Sequence, residues 1–111
     1  MDELRETSGY QEVDHTADWA LRVWAPDFNG LLIQAALGMR ALLGGVIQPK
    51  DIHREVSIHG DDAETVLVSF LSEILYLNVQ ENLAFEKISI DFHGNDLTAY
   101  LHGGRLTGQT K

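Results

Sequence analysis

The sequence has no cysteine, only two prolines, and eight Lys and Arg against seventeen Asp and Glu. Without cysteine, disulfides, thiolate metal sites and cysteine nucleophiles are excluded. No apolar run approaches the ~20 residues that span a bilayer. The opening Met1-Asp2-Glu3-Leu4-Arg5-Glu6 is acidic with no apolar core behind it, so no secretory signal is expected and a cytoplasmic location is the default. The few basic residues are scattered and the formal net charge is -9. A phosphate backbone is repelled by such a surface, so direct nucleic-acid binding is not expected. An acidic surface suits a basic protein partner or a divalent cation, or serves solubility alone. Phosphate-cradling glycine loops are also lacking, since Gly103-Gly104 is a lone pair with no Lys-Ser/Thr after it. Ser69 and Ser72 fall on a predicted helix, outside any nucleophile-elbow context.

What is present fits one domain. The 111 residues are 44% hydrophobic and 23% charged, the profile of a globular chain, and this length buries roughly 65% of the unfolded surface. Residues 1 to 9 read as a polar, flexible tail, and residues 10 to 111 as a single domain. Residues 10 to 13 form a short strand or lead-in. In residues 19 to 24, Trp19, Leu21 and Val23 share one face, with Ala20, Arg22 and Trp24 on the other. Pro26-Asp27 then starts a helix, with Asp27 as its cap and Phe28, Leu31, Leu32, Ala35, Ala36, Met39, Leu42 and Leu43 at helical spacing. Gly44-Gly45 ends it. Residues 46 to 50, with Pro49, read as a loop.

Residues 52 to 59 alternate, with Ile52, Arg54, Val56 and Ile58 against His53, Glu55, Ser57 and His59, a half-buried strand. Asp61 and Glu64 suggest a capping box for a second helix whose stripe is Val66, Leu67, Phe70, Leu71, Ile74, Leu75 and Leu77, with unwinding over residues 78 to 82. Two strands follow, about residues 84 to 93 and 97 to 102, around a Gly94-Asn95-Asp96 turn. In the first of them Phe85 shares a face with Lys87, Ser89, Asp91 and His93. Residues 103 to 111 read as a glycine-rich tail. The order strand-helix-strand-helix-strand-strand predicts an α+β fold with two helices packed on one face of a mostly antiparallel sheet.

The chemistry-bearing stretch is Tyr10-Gln11-Glu12-Val13-Asp14-His15-Thr16-Ala17-Asp18, at the mouth of the 19 to 24 strand. Asp14, His15 and Asp18 can hold a hard cation, although two carboxylates bind weakly without further oxygen ligands. They can equally serve as capping and turn residues, or as the acid/base and metal-binding groups of a small metal-dependent hydrolase. A zinc site from His15, His53 and His59 requires the fold to gather them. His53 and His59 share a strand face but stand about 20 Å apart, too far for one metal. Acidic residues at 61, 62 and 64 complement a helix dipole.

Residues 10 to 23 resemble the opening of the archease family, with an aromatic-led lead-in, then Asp/Glu-His-Thr-Ala-Asp, then a strand. The resemblance continues through Gln34-Ala35-Ala36-Leu37, Gly60-Asp61-Asp62, and the helix Leu67-Val68-Ser69-Phe70-Leu71-Ser72-Glu73-Ile74-Leu75-Tyr76-Leu77. It spans about residues 10 to 103. It implies an SHS2-like fold and a non-enzymatic cytoplasmic accessory protein. Such a protein activates an RtcB-type RNA ligase, promoting its guanylylation and multiple turnover in tRNA splicing and RNA repair. A chaperone-like or specificity-modulating role toward a tRNA-modification enzyme is the alternative the resemblance carries. The implied metal is divalent, often Ca²⁺, held by Asp18 with Asp14 and His15 in support. The remaining ligands of the family fall in strands beyond Lys111, so the chain reads as C-terminally truncated, with an open sheet edge inviting self-association.

Overall fold

The computed structural model describes residues 7–13 and 20–108. In chain order these form β1 (Gly9–Val13), β2 (Ala20–Trp24), α1 (Phe28–Leu43), β3 (Val46–His59), α2 (Ala63–Gln80), β4 (Leu83–His93) and β5 (Asp96–Thr107). The fold is α+β, as the sequence order predicts, with one addition. Residues 9 to 13 make a strand that pairs antiparallel with β2, from Gly9↔Trp24 to Val13↔Ala20. This ribbon packs on α1. The second sheet has the order β3-β5-β4, antiparallel throughout.

Local chemistry sets the helix limits. Asp27 Oδ1 accepts the Gly30 N–H at 2.7 Å, so the expected cap forms. At the other end Gly44 takes φ 72° and its N–H donates to the Ala41 carbonyl. α1 buries Leu32, Ala35, Ala36, Gly38 and Leu43. α2 buries Val66, Phe70, Ile74 and Leu77, while Leu75 from the expected stripe is exposed. Its cap is Asp62, whose Oδ1 accepts the Thr65 N–H at 2.7 Å, not Asp61. The helix also runs past Asn78 to Gln80. Asn78 is buried, and its Nδ2 donates to the Leu83 carbonyl at 2.7 Å, so a residue that favours breaks instead ties the helix end to β4. Asn82, at φ 56°, makes the reversal, a conformation asparagine tolerates.

The inner face of the larger sheet carries Val56, Ile58, Ile90, Leu97, Ala99 and Leu101, which pack under Leu32, Phe70 and Ile74 of the helices in one core. Ile47, Leu43, Ala84 and Leu106 form a smaller cluster at one end. Residues 103 to 107, expected as tail, are the second half of the central strand, and β3 begins at Val46 rather than Ile52. Both differences have one cause. Register shifts interrupt the sheet on both sides of β5, between Gln48 and Ile52 on β3 and between Phe85 and Lys87 on β4. The β3 irregularity accommodates Pro49 on an edge strand, where its missing N–H costs no central ladder bond. The β4 shift at Glu86 resets the alternation, so Phe85 is 3% exposed rather than sharing the outer face with Lys87.

Candidate functional site

The Asp14–Asp18 motif lies outside the described residues. What is described is its frame. Val13 and Ala20 are paired, so the motif connects the two strands of a ribbon seated on α1.

The outer face of the larger sheet, turned away from the helices, is polar. Strand alternation and register place His53, His102 and Lys87 in one row across β3, β5 and β4, and His59, Asp96 and His93 in the last row. Two clusters of titratable groups result, one near each end.

At the bulged end, Asp51 Oδ1 lies 2.9 Å from His53 Nε2 and 3.0 Å from His102 Nε2. The two imidazoles are a directly opposed cross-strand pair, with ring centroids 4.4 Å apart. Hydrogen bonds from His102 first and His53 second hold the Asp51 carboxyl below the usual aspartate range. A shallow cavity of about 320 Å³ opens beside the pair, lined also by Glu55, Lys87 and Tyr100.

At the hairpin end, His59 Nδ1 lies 2.5 Å from Asp96 Oδ1 and its Nε2 is 3.7 Å from Asp61. The hydrogen bond and charge of Asp96 raise the His59 pKa above its ordinary value. Next to it, a cavity of about 260 Å³ sits between the start of α2 and the β4–β5 turn, lined by Phe28, Asp61, Asp62, Phe92 and Asn95 among others. Asp62 is held below the usual carboxylate range by the Thr65 N–H it accepts.

As the alternation predicts, His53 and His59 stand at separate places on one strand. The partner of His53 is His102, forty-nine residues away in sequence on the antiparallel neighbour. A strand pattern shows which face a histidine occupies but not which strand lies alongside. Aligning the apolar phase of residues 52 to 58 with that of 97 to 101 is the signal that brings the two together.

The architecture is that of a small α+β protein in which β1 and β2 form a ribbon packed on α1 and the sequence between them is acidic and contains a histidine. The chain belongs to the archease family: the model of the archease protein family (MTH1598/TM1083) matches residues 10–111. It is similar to the protein archease of Archaeoglobus fulgidus, 31% identical over 107 residues, covering 90% of this chain and 76% of that protein. The protein archease of Thermococcus kodakarensis is 31% identical over 83 residues, covering 73% of this chain. The match spans 58% of the length of that relative. The fold is also that of the solution structure of Methanobacterium thermoautotrophicum protein 1598, with a TM-score of 0.70 at 23% identity, covering 93% of this chain and 78% of that one. Among the described residues no helix is long and apolar enough to cross a membrane.

Proposed function

We propose that this chain is a non-enzymatic cytoplasmic accessory protein that activates an RtcB-type RNA ligase, promoting its guanylylation and multiple turnover in tRNA splicing and RNA repair. The observation that carries this reading is the family match over residues 10–111, which includes the Asp-His-Thr-Ala-Asp motif. The net charge of -9 supports contact with a basic protein rather than with RNA itself. In this reading Asp18 holds a divalent ion, Ca²⁺ in first place, with Asp14 and His15 in support. Val13 and Ala20, which flank the stretch holding the motif, are paired across the β1–β2 ribbon.

The test is RNA ligation by the cognate ligase at substrate excess, with and without the chain, and with Asp18→Ala. The expected result is turnover beyond one equivalent with the wild-type chain, lost in Asp18→Ala without loss of helical and strand circular dichroism. Full stimulation by Asp18→Ala removes the role given to that residue. No stimulation by the wild-type chain removes the ligase reading.

A further inference from the structure

Asp51, His53 and His102 bring one carboxylate and two imidazoles onto a single point, with donor atoms within 4.8 Å of one another. We propose that these three residues form a binding site for one borderline divalent cation of the Zn²⁺ type, distinct from the Asp14–Asp18 motif.

The backbone builds the convergence. His53 and His102 are held opposite each other by the β3–β5 ladder, on the outer face. Cross-strand neighbours have Cβ atoms about 5 Å apart, close enough for two rings to share a ligand. Asp51 ends the irregular stretch of β3, and such bulges re-aim side chains. Here the carboxylate is turned back over both rings. Both Nε2 atoms lie within hydrogen-bond distance of the same Oδ1, so the three ligand atoms surround one small volume.

The distances are near those of a metal site. Zn–N and Zn–O bonds of about 2.0–2.2 Å in a tetrahedral arrangement put neighbouring ligand atoms about 3.3 Å apart. The Asp51 to histidine separations of 2.9 and 3.0 Å therefore need to open by a few tenths of an ångström. Asp51 is 85% exposed and can withdraw without disturbing packing, and water completes the coordination. Each ring must carry its proton on Nδ1 to offer Nε2. Imidazole with carboxylate suits Zn²⁺, Cu²⁺ and Ni²⁺, while Ca²⁺ and Mg²⁺ prefer all-oxygen shells. Stability alone does not account for the arrangement, because exposed ion pairs of this kind contribute little. Lys87, opposite His102 on β4, opposes a cation, and Glu55, two residues after His53 on the same face, offsets it.

The experiment is calorimetric titration of the 111-residue chain with ZnCl₂ in a non-chelating buffer at neutral pH. One equivalent is expected to bind. His53→Ala and His102→Ala should each weaken binding by about 10- to 100-fold, the range seen even for outer partners of ligating histidines. In a variant carrying Asp14→Asn, His15→Ala and Asp18→Asn, the Zn²⁺ whose binding depends on His53 and His102 should still be held. Imidazole ¹⁵N spectra of the unaltered chain provide a reading that needs no variant: Zn²⁺ should shift the Nε2 resonances of His53 and His102 and leave those of His59 and His93 in place. The proposal is overturned if the His53→Ala/His102→Ala chain binds Zn²⁺ as tightly as the wild type. It is equally overturned if binding is lost with the Asp14, His15 and Asp18 changes, if His59 or His93 shifts in place of the pair, or if millimolar Ca²⁺ displaces the bound ion. These outcomes are independent of ligase stimulation.

Discussion

Gly104 in the central strand passes so close to Gln48 of β3 that a Cβ on Gly104 would stand 2.1 Å from the Gln48 carbonyl oxygen. A Cβ on its neighbour Gly103 would likewise collide with the Ala84 carbonyl oxygen of β4. The two irregular strands thus lean in on β5 from opposite sides at one place, and only residues without side chains fit between them. The obstacles are backbone atoms, which cannot step aside as a flexible side chain can.

Gly104→Ala is therefore expected to destabilise the fold by about 3 kcal/mol or more, in the tail of single-substitution effects where backbone geometry is violated. Urea unfolding followed by circular dichroism measures it. Gly104→Ala should also displace the 48–52 stretch and with it Asp51. A variant with wild-type stability would mean that the close approach is not present in solution.

Asn78 supplies the second prediction. Its Nδ2 satisfies the Leu83 carbonyl in a buried position, while its Oδ1 finds no partner among the described residues. Asn78→Ala should cost about 1–3 kcal/mol by leaving the carbonyl unpaired. Asn78→Asp should cost more at neutral pH, because a carboxylate then faces a carbonyl oxygen without solvent. The ordering Asp below Ala below Asn in urea midpoint checks the contact, and equal stability of all three would rule it out.

The helices were legible because their evidence is local. Asp27, Gly44 and the Leu32-Ala36 spacing lie within one or two turns of the structure they specify. Residues 52 to 59 were legible for the same reason, since alternation needs only the strand itself. Residues 46 to 50 and 103 to 107 were not. Pro49 and Gly103-Gly104 ordinarily mark loops, and here they mark the one place where three strands crowd together. Each is explained only by a neighbouring strand, Gly104 by Gln48 far back in the sequence and Gly103 by Ala84 of β4. Separation in sequence likewise hid the His53–His102 pair. Asn78 favours a break in the sequence for a different reason, because its side chain finds the Leu83 carbonyl only once the chain has turned.

The cap of α2 separates two neighbouring aspartates. Asp62 accepts the Thr65 N–H and Asp61 makes no such bond, lying 3.7 Å from His59 instead. Asp62→Ala should lower the melting temperature by a few degrees at pH 7, and Asp61→Ala should change it far less. The pH dependence follows from the sign of the shift. The folded pKa of Asp62 lies below its ordinary value, so its contribution is present above the unfolded pKa and lost as pH falls through the folded one. The deficit of Asp62→Ala should accordingly close in acid. A deficit that persists at pH 2 would point to lost packing rather than lost capping.

His59 and Asp96 form the opposite case. They are a directly opposed pair at the ends of β3 and β5, joined by a 2.5 Å hydrogen bond. The carboxylate favours the imidazolium, so the folded pKa of His59 lies above its unfolded value. A raised histidine stabilises the folded state fully below the unfolded pKa, and that stabilisation is lost as pH rises through the folded pKa. Asp96→Asn keeps the shape and removes the charge. In imidazole NMR titrations, the His59 midpoint should fall toward its ordinary value in Asp96→Asn and move much less in Asp61→Asn, whose oxygen is more distant. The melting temperatures of wild type and Asp96→Asn should differ most below about pH 6, under the ordinary histidine pKa, and converge in alkali. Both groups are exposed, so added salt should shrink the difference. A His59 midpoint unchanged by Asp96→Asn would mean that the two side chains do not meet in solution, and with it the electrostatic account of this corner of the sheet would fail.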